Sequence, residues 1–134
     1  MTRPPAPLRA LVVDDSVVVR GLIGVNLELE GFEVRTAEDG LEALEVLETW
    51  LPDVITVDVM MPRLGGFDLI ARLRADPRTA TLPVVVVTGR AQATDRDLGL
   101  RLGADDYVSK PFEPGDLVET VTRLARHGRT PISE

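Results

Sequence analysis

The stretch LRALVVDDSVVVRGLIGVNLELEGFEVRT, residues 8–36, decides the fold. Its first six residues are mostly aliphatic, as in a strand buried on both faces. Apolar residues then recur at helical spacing, and we expect the buried stripe of this helix to be Val18, Leu22, Val25 and Leu29. Gly31 suits a helix C-terminus, and a second extended run follows at 32–36. The stretch therefore predicts a strand–helix–strand unit of a parallel sheet.

The same alternation continues to the end of the sequence. Further short runs typical of strands lie at 54–57, 84–87 and 107–108. Pro114 suits the first turn of the last helix. The later apolar stripes are Leu41, Leu44, Leu47 and Leu51, then Leu117, Val121 and Leu124. Five strands alternating with five helices predict an α/β, doubly wound, five-stranded parallel sheet. We expect one domain at 8–127, a disordered or extended segment at 1–7, and a flexible tail or linker start at 128–134.

Composition excludes several classes of protein. The absence of cysteine excludes disulfides and thiolate metal sites, and it favours a reducing, cytoplasmic setting. No signal peptide or membrane-spanning apolar run is present, so we expect no membrane partner. The net charge is -7. Residues 1–60 carry 12 acidic and 4 basic side chains, a net of -8, which argues against direct nucleic-acid binding. Among 15 basic residues the only lysine is Lys110.

Chemically useful residues follow the predicted strands. In open α/β sheets, ligands bind beyond the carboxyl ends of the strands. At these ends stand Asp14 and Asp15 (first strand), Asp58 (third), Thr88 and Gly89 (fourth), and Lys110 and Pro111 (fifth). Alone, each residue has an ordinary role. Asp15 or Ser16, for example, could be no more than the cap of the first helix. Their joint occurrence at one rim instead indicates a site.

Three carboxylates that lie close together repel one another unless a proton or a cation joins them. A carboxylate-rich, all-oxygen site suits Mg²⁺, which keeps several waters and bridges to phosphate. A carboxylate can also attack phosphorus to give an aspartyl-phosphate. That reaction chiefly needs charge neutralisation, which Lys110, the Thr88 hydroxyl and the backbone amides of Met60 and Gly89 could supply.

Four motifs carry a family resemblance: VVDDS (12–16), VDVMMPRLGGFDL (57–69), VVVVTGR (84–90) and GADDYVSKPF (103–112). With them the chain resembles a two-component response-regulator receiver domain over nearly its whole length. The resemblance implies a flavodoxin-like fold with strand order 2-1-3-4-5. It also implies that Asp58 is the phosphoacceptor, loaded from a phosphohistidine on a sensor histidine kinase or from a phosphotransfer protein.

The resemblance assigns roles to the remaining site residues. Mg²⁺, for which Mn²⁺ or another divalent ion could substitute, would be held by Asp15, Asp58 and the backbone carbonyl of Met60, and Asp14 would bind it directly or through a water. The phosphoryl group would be bound by Thr88, Lys110 and the backbone amides of Met60 and Gly89. Thr88 and Tyr107 would be the switch residues, and the Lys110–Pro111 peptide bond would be cis. Met60 and Arg90 would lie at the mouth of the site and set the lifetime of the phosphoryl group.

The segment 95–112 looks closest to receivers that precede winged-helix DNA-binding domains. Those receivers pair through the fourth helix, fifth strand and fifth helix, and Arg96 and Asp116 match one of their ion pairs. Asp106 lacks its usual partner, because Thr120 stands where that subgroup has arginine, and Arg123 lies one turn further on. We therefore expect a monomer or a weak, phosphorylation-dependent homodimer, with an unknown downstream protein partner.

Other functions stay open at this point. The chain could be a receiver excised from a longer DNA-binding regulator. A Mg²⁺-dependent phosphohydrolase would usually have a second aspartate two residues after the nucleophile, where this chain has Met60. A phosphate-independent interaction module would tend to have lost an acid or the lysine, and this chain keeps all of them. A flavin site would need a Ser/Thr/Gly-rich phosphate loop after the first strand, and none is present there. We expect a phosphoacceptor protein rather than an enzyme.

Overall fold

The computed structural model describes residues 6–89 and 93–129. The strands are β1 Arg9–Val13, β2 Glu33–Ala37, β3 Val54–Val57, β4 Val84–Thr88 and β5 Asp106–Ser109. The helices are α1 Val17–Leu29, α2 Gly40–Thr49, α3 Gly66–Ala75, α4 Ala93–Leu102 and α5 Pro114–His127. Strands and helices alternate strictly along the chain, as predicted.

The five strands form one parallel sheet in the order β2-β1-β3-β4-β5. This confirms the predicted fold class. The chain builds β2 on one side of β1 and then crosses over to build β3 on its other side, so the strand order reverses between β1 and β3. In the register, Val13 lies beside both Ala37 and Val57. The residues that follow β1 and β3 therefore emerge side by side at this reversal point.

Two apolar clusters cover the two faces of the sheet. Alternate residues of β1 separate onto them, with Leu11 and Val13 on one face and Ala10 and Val12 on the other. Helices α2 and α3 contribute to the first cluster, and α1 and α5 to the second. Burial of both faces explains why β3 and β4 consist almost entirely of branched aliphatic residues.

The predicted buried stripe of α1 is wrong. Val18, Leu22, Val25 and Leu29 are exposed by 75%, 45%, 54% and 81%. The helix instead buries Ile23, Gly24 and Leu27. Apolar residues surround most of this helix, so helical spacing fits two stripes equally well. The stripe that packs on the sheet includes Gly24, and a Cβ there would make an ordinary contact of 3.7 Å with the Val34 side chain.

The other helices follow the sequence more closely. In α2 the stripe is partly wrong, because Leu41 is 38% exposed and Leu51 lies beyond the end of the helix. In α5 the predicted stripe is confirmed, and its buried residues are Leu117, Val121 and Leu124. Gly31 follows α1 with φ +103°, a conformation that favours glycine, and Pro114 stands in the first turn of α5.

The predicted ends of the domain fall partly outside the described residues. Residues 1–5 of the N-terminal segment and residues 130–134 of the tail lie outside the described residues, so the domain boundaries stay predictions. Across 6–89 and 93–129, no helix has both the length and the apolar character needed to cross a bilayer.

Candidate phosphoryl-acceptor site

Asp14, Asp15 and Asp58 form one acidic cluster beyond the ends of β1 and β3. A carboxylate oxygen from each lies within 4.8 Å of the others. Sheet hydrogen bonds position the two buried members, since the Asp58 N–H donates to the Val13 carbonyl and the Asp14 N–H to that of Ala37, both at 3.1 Å. Asp14 and Asp58 are only 1% and 6% exposed, whereas Asp15 is exposed. The cluster is thus rooted in the sheet and open on one side.

Lys110 joins this cluster from β5, 96 residues along the chain from Asp14. Its Nζ donates to Asp14 Oδ2 at 2.9 Å and to Asp58 Oδ2 at 3.1 Å. The Lys110 N–H bonds the Thr88 carbonyl at 2.8 Å, and the Lys110–Pro111 peptide bond is cis. One ammonium therefore bridges two of the three carboxylates.

The charges of the cluster remain unbalanced. Burial raises the pKa of Asp14 above 3.8, even though hydrogen bonds from Lys110 and the Ser16 N–H lower it in part. Burial would lower the pKa of Lys110, but its hydrogen bonds to Asp14 and Asp58 outweigh burial and raise it above 10.5. The lysine is charged at neutral pH, and its single charge is shared between two of the three acids. A further cation would relieve the excess negative charge.

The other predicted phosphate-binding groups surround Asp58. The Met60 N–H lies 3.3 Å from Asp58 Oδ1, while the Met60 side chain is 55% exposed at the surface. Thr88 ends β4 and is buried, and next to it Gly89 is exposed with open space where a Cβ would be. The cap of α1 is Ser16, whose Oγ accepts the Val19 N–H, so Asp15 is not the capping residue.

The predicted switch residue Tyr107 is buried, with 6% of its surface exposed. A Cβ on Gly99 of α4 would lie 3.4 Å from its ring and 3.2 Å from that of Phe67. The glycine that weakens α4 as a helix thus makes room for two aromatic rings between α4, α3 and β5. The packing of Tyr107 depends on the position of α4.

The predicted interface residues are mostly at the surface. Arg96 on α4 and Asp116 on α5 are exposed. Asp106 forms an ion pair within the chain, at 3.3 Å from Arg123 Nη2. Arg90, predicted at the mouth of the site, lies outside the described residues.

Sequence reasoning missed the contact between Asp39 and Arg63, next to the site. Arg63 Nε and Nη2 donate to the two oxygens of Asp39, at 2.7 Å and 3.1 Å. The arginine holds the pKa of Asp39 below 3.8. Asp39 also caps α2, and the cap pattern was its only signal in the sequence. Nothing local links it to a residue 24 positions away.

Comparison with known proteins now identifies the architecture. The model of the family described as "Response regulator receiver domain" matches residues 10–122. The chain belongs to this family. The receiver shares 38% identity over 88% of its length with the DNA-binding dual master transcriptional regulator RpaA of Synechocystis. It shares 41% over 94% with the alkaline phosphatase synthesis transcriptional regulatory protein PhoP of Bacillus subtilis.

The receiver spans about half the length of these curated relatives, 49% and 52% respectively. Solved structures match it nearly end to end. A putative response regulator from Chloroflexus aurantiacus aligns with a TM-score of 0.86 and 37% identity, covering 90% of the receiver and 99% of that chain. The receiver domain of the Pseudomonas aeruginosa sensor histidine kinase PA1611 has a TM-score of 0.82 and 29% identity, with 90% and 99% covered. That structure has a magnesium ion coordinated in its active-site cleft.

Proposed function

We propose that this receiver accepts a phosphoryl group on Asp58 in a Mg²⁺-dependent reaction and works as a phosphorylation switch. The bridge from Lys110 to Asp14 and Asp58 is the observation that carries this function. It holds a positive charge within 3.1 Å of the proposed nucleophile, where the oxygens of an incoming phosphoryl group would need neutralisation.

The donor set fits Mg²⁺. Three carboxylates within 4.8 Å offer only hard oxygen ligands, and the exposed side of the cluster leaves room for the waters that Mg²⁺ retains. Asp14, Asp15, Asp58 and the carbonyl of Met60 would hold the ion, and Mn²⁺ or another divalent ion could replace it. When bound, the ion would neutralise phosphoryl oxygens that Lys110 does not reach. The magnesium in the related kinase receiver supports this choice.

The reaction requires little more than positioning from the protein. A carboxylate oxygen of Asp58 forms a bond to phosphorus while the bond from phosphorus to the histidine nitrogen of the donor breaks. The Met60 N–H, already 3.3 Å from the carboxylate, donates to the transferring group together with the Gly89 N–H. Thr88 contributes its hydroxyl. No residue of the chain needs to act as a general acid for this step when the other ring nitrogen of the phosphohistidine carries a proton, because the histidine then leaves as neutral imidazole.

Thr88 and Tyr107 would transmit the change. The Thr88 hydroxyl would move toward the phosphoryl group, and the open space beside Gly89 permits a shift of this strand end. Tyr107, packed at Gly99, would couple that shift to α4. The surface formed by α4, β5 and α5 is therefore where a downstream partner would sense phosphorylation.

A phosphodonor protein would bind beside α1. This helix starts directly after the acidic cluster, and it exposes Val17, Val18, Leu22, Val25 and Leu29. Clustered exposed apolar side chains commonly mark a protein-binding surface. A sensor histidine kinase or phosphotransfer protein could cover this face while presenting its phosphohistidine to Asp58.

Association of two receivers would be weak. Arg123 already pairs with Asp106 in the same chain, so the acid is not available to a second copy without breaking that pair. Arg96 and Asp116 stay accessible for one crossed ion pair. We infer a monomer or a weak, phosphorylation-dependent homodimer that binds no nucleic acid through this domain.

The wider setting is also a proposal. The half-length match to transcriptional regulators favours a receiver that belongs to a longer DNA-binding regulator. We propose a phosphoacceptor rather than a Mg²⁺-dependent phosphohydrolase, because Met60 cannot supply acid–base chemistry. The domain boundaries at 8 and 127, and the cytoplasmic location, remain predictions from the sequence.

The test is phosphorylation by acetyl phosphate, read by intact mass. With Mg²⁺, the wild type should gain one phosphoryl group and Asp58→Asn none, and EDTA should abolish the gain. Asp53→Asn is the matched control. Asp53 stands just before β3, at the end of the strand opposite to Asp58, so this substitution should leave phosphorylation intact. A stable phosphoryl group on Asp58→Asn would disprove the assignment.

A further inference from the structure

The loop from β3 to α3, residues 58–65, has a strained backbone at Arg63. Its φ is +68°, the only positive value for a non-glycine residue within 6–89 and 93–129. The Leu64 N–H donates to the Pro62 carbonyl at 2.8 Å, which makes Arg63 the centre of a tight γ-turn. Residues other than glycine rarely keep this conformation unless surrounding contacts impose it.

The side chain of Arg63 supplies one such contact. Its guanidinium forms two parallel hydrogen bonds to Asp39, the geometry that is strongest for an arginine and a carboxylate. Asp39 is only 2% exposed and cannot easily follow a moving partner, because it also accepts the Glu42 N–H at 2.8 Å as the cap of α2. The arginine is thus anchored to the start of a helix.

The backbone supplies a second contact between the same two segments. The Gly40 N–H donates to the Leu64 carbonyl at 3.0 Å. A Cβ on Gly40 would lie 2.5 Å from that carbonyl oxygen, so only glycine allows the approach. The start of α2 therefore holds the loop at two consecutive residues of its γ-turn, Arg63 and Leu64.

We propose that Arg63 is a positioning residue, and that its ion pair with Asp39 holds the loop so that the backbone of Met60 completes the site. Met60 lies three residues before Arg63 in the same loop, with its N–H at Asp58. The ion pair touches neither the metal ligands nor the phosphoryl group, and it acts only through the loop backbone. This inference rests on the proposed function, because it assigns the Met60 carbonyl to the divalent ion.

Two substitutions separate positioning from simple electrostatics. Arg63→Ala removes a positive charge near the cluster, which by Coulomb's law alone would tighten cation binding. Asp39→Asn removes a negative charge, which would weaken it, while asparagine remains a good helix cap. If the pair positions the loop, both variants bind Mg²⁺ more weakly. We expect each to raise the Kd for Mg²⁺ by about tenfold, as for other groups that orient metal ligands.

The measurement is isothermal titration of the unphosphorylated full chain with Mg²⁺, alongside urea unfolding in EDTA. The double variant should bind Mg²⁺ no more weakly than either single variant, because both remove one interaction. Tighter binding by Arg63→Ala, or additive losses in the double variant, would overturn the proposal. The side chain of Arg63 is 54% exposed, so this variant should fold even where Asp39→Asn does not.

The wild type distinguishes this proposal from the function on which it rests. Wild-type protein that binds Mg²⁺, with variants that bind equally well, would refute the positioning role alone. Wild-type protein that shows no Mg²⁺ binding would instead refute the metal site of the proposed function.

Discussion

Removing the charge of Asp15 should stabilise the protein when no divalent ion is present. Asp15 is the exposed member of the acidic cluster, and the ammonium of Lys110 donates to the other two acids. Asp15→Asn therefore removes repulsion without breaking either of those hydrogen bonds. Most point substitutions lower stability, so a gain at Asp15 would be an informative outcome.

The magnitude follows from the spacing. At 4.8 Å and the dielectric constant of water, Coulomb's law gives about 0.9 kcal/mol for each pair of carboxylates. Asp15 takes part in two such pairs, and salt screening and side-chain motion lower the sum. We expect the free energy of unfolding to rise by about 1 kcal/mol, or the melting temperature by about 3–5 °C.

With Mg²⁺ present, the wild type should instead be more stable than Asp15→Asn. At a concentration about 100 times its Kd, Mg²⁺ would stabilise the wild type by about 2.7 kcal/mol, and the variant, lacking one ligand, by less. Urea unfolding can be followed by the fluorescence of the single tryptophan, Trp50, which is buried and has the guanidinium groups of Arg9 and Arg35 over its ring. The two proteins should be compared in EDTA and then in Mg²⁺.

A distant acid on the same helix provides the control. Glu28 is exposed near the far end of α1, about 20 Å from Asp15 at 1.5 Å per residue. Glu28→Gln should change neither the stability in EDTA nor the gain from Mg²⁺. The electrostatic reasoning fails if Asp15→Asn is less stable than wild type in EDTA, or if Mg²⁺ stabilises both equally.

Three further predictions concern packing and pH. Gly66→Ala should destabilise the fold by about 1–3 kcal/mol in urea unfolding and slow phosphorylation, because a Cβ there would overlap the Asp58 carbonyl; normal kinetics would contradict this. Leu27→Ala should cost about 3 kcal/mol and Leu22→Ala much less, since only Leu27 is buried, and equal losses would refute the observed burial of α1. The ion pair with Arg63 lowers the pKa of Asp39. The contribution of this pair to stability is therefore present above pH 3.8 and is lost as the pH falls below that value. Unfolding of Asp39→Asn and wild type should therefore differ at pH 7 and converge in acid, whereas a constant difference would exclude the ion pair as its cause.

The sequence was sufficient to predict the sheet and the gathering of the candidate site at one edge of it. Strands buried on both faces leave continuous aliphatic runs, and parallel strands end at one edge, so Asp14, Asp58 and Lys110 could be placed together without coordinates. This inference needs only the order of the elements. It does not depend on their packing angles.

Packing choices were not predictable in the same way. Both apolar stripes of α1 satisfy helical spacing, and only the packing of the helix on the sheet, which buries Ile23, Gly24 and Leu27, decides between them. The pairs of Asp39 with Arg63 and of Asp106 with Arg123 join residues far apart in sequence. Each depends on loop and helix placement that no local pattern encodes: the sequence suggested no partner for Asp39, and for Asp106 it only placed Arg123 one turn from the position of the usual arginine.

The span of 96 residues between Asp14 and Lys110 has a consequence during synthesis. The acids leave the ribosome long before the lysine, so an incomplete chain carries carboxylates whose ammonium partner has not yet been made. The last strand must dock before the ammonium of Lys110 can reach these acids. A chain that stalls before Lys110 would therefore be both unfinished in its core and unable to transfer a signal, and it would be open to quality-control proteases.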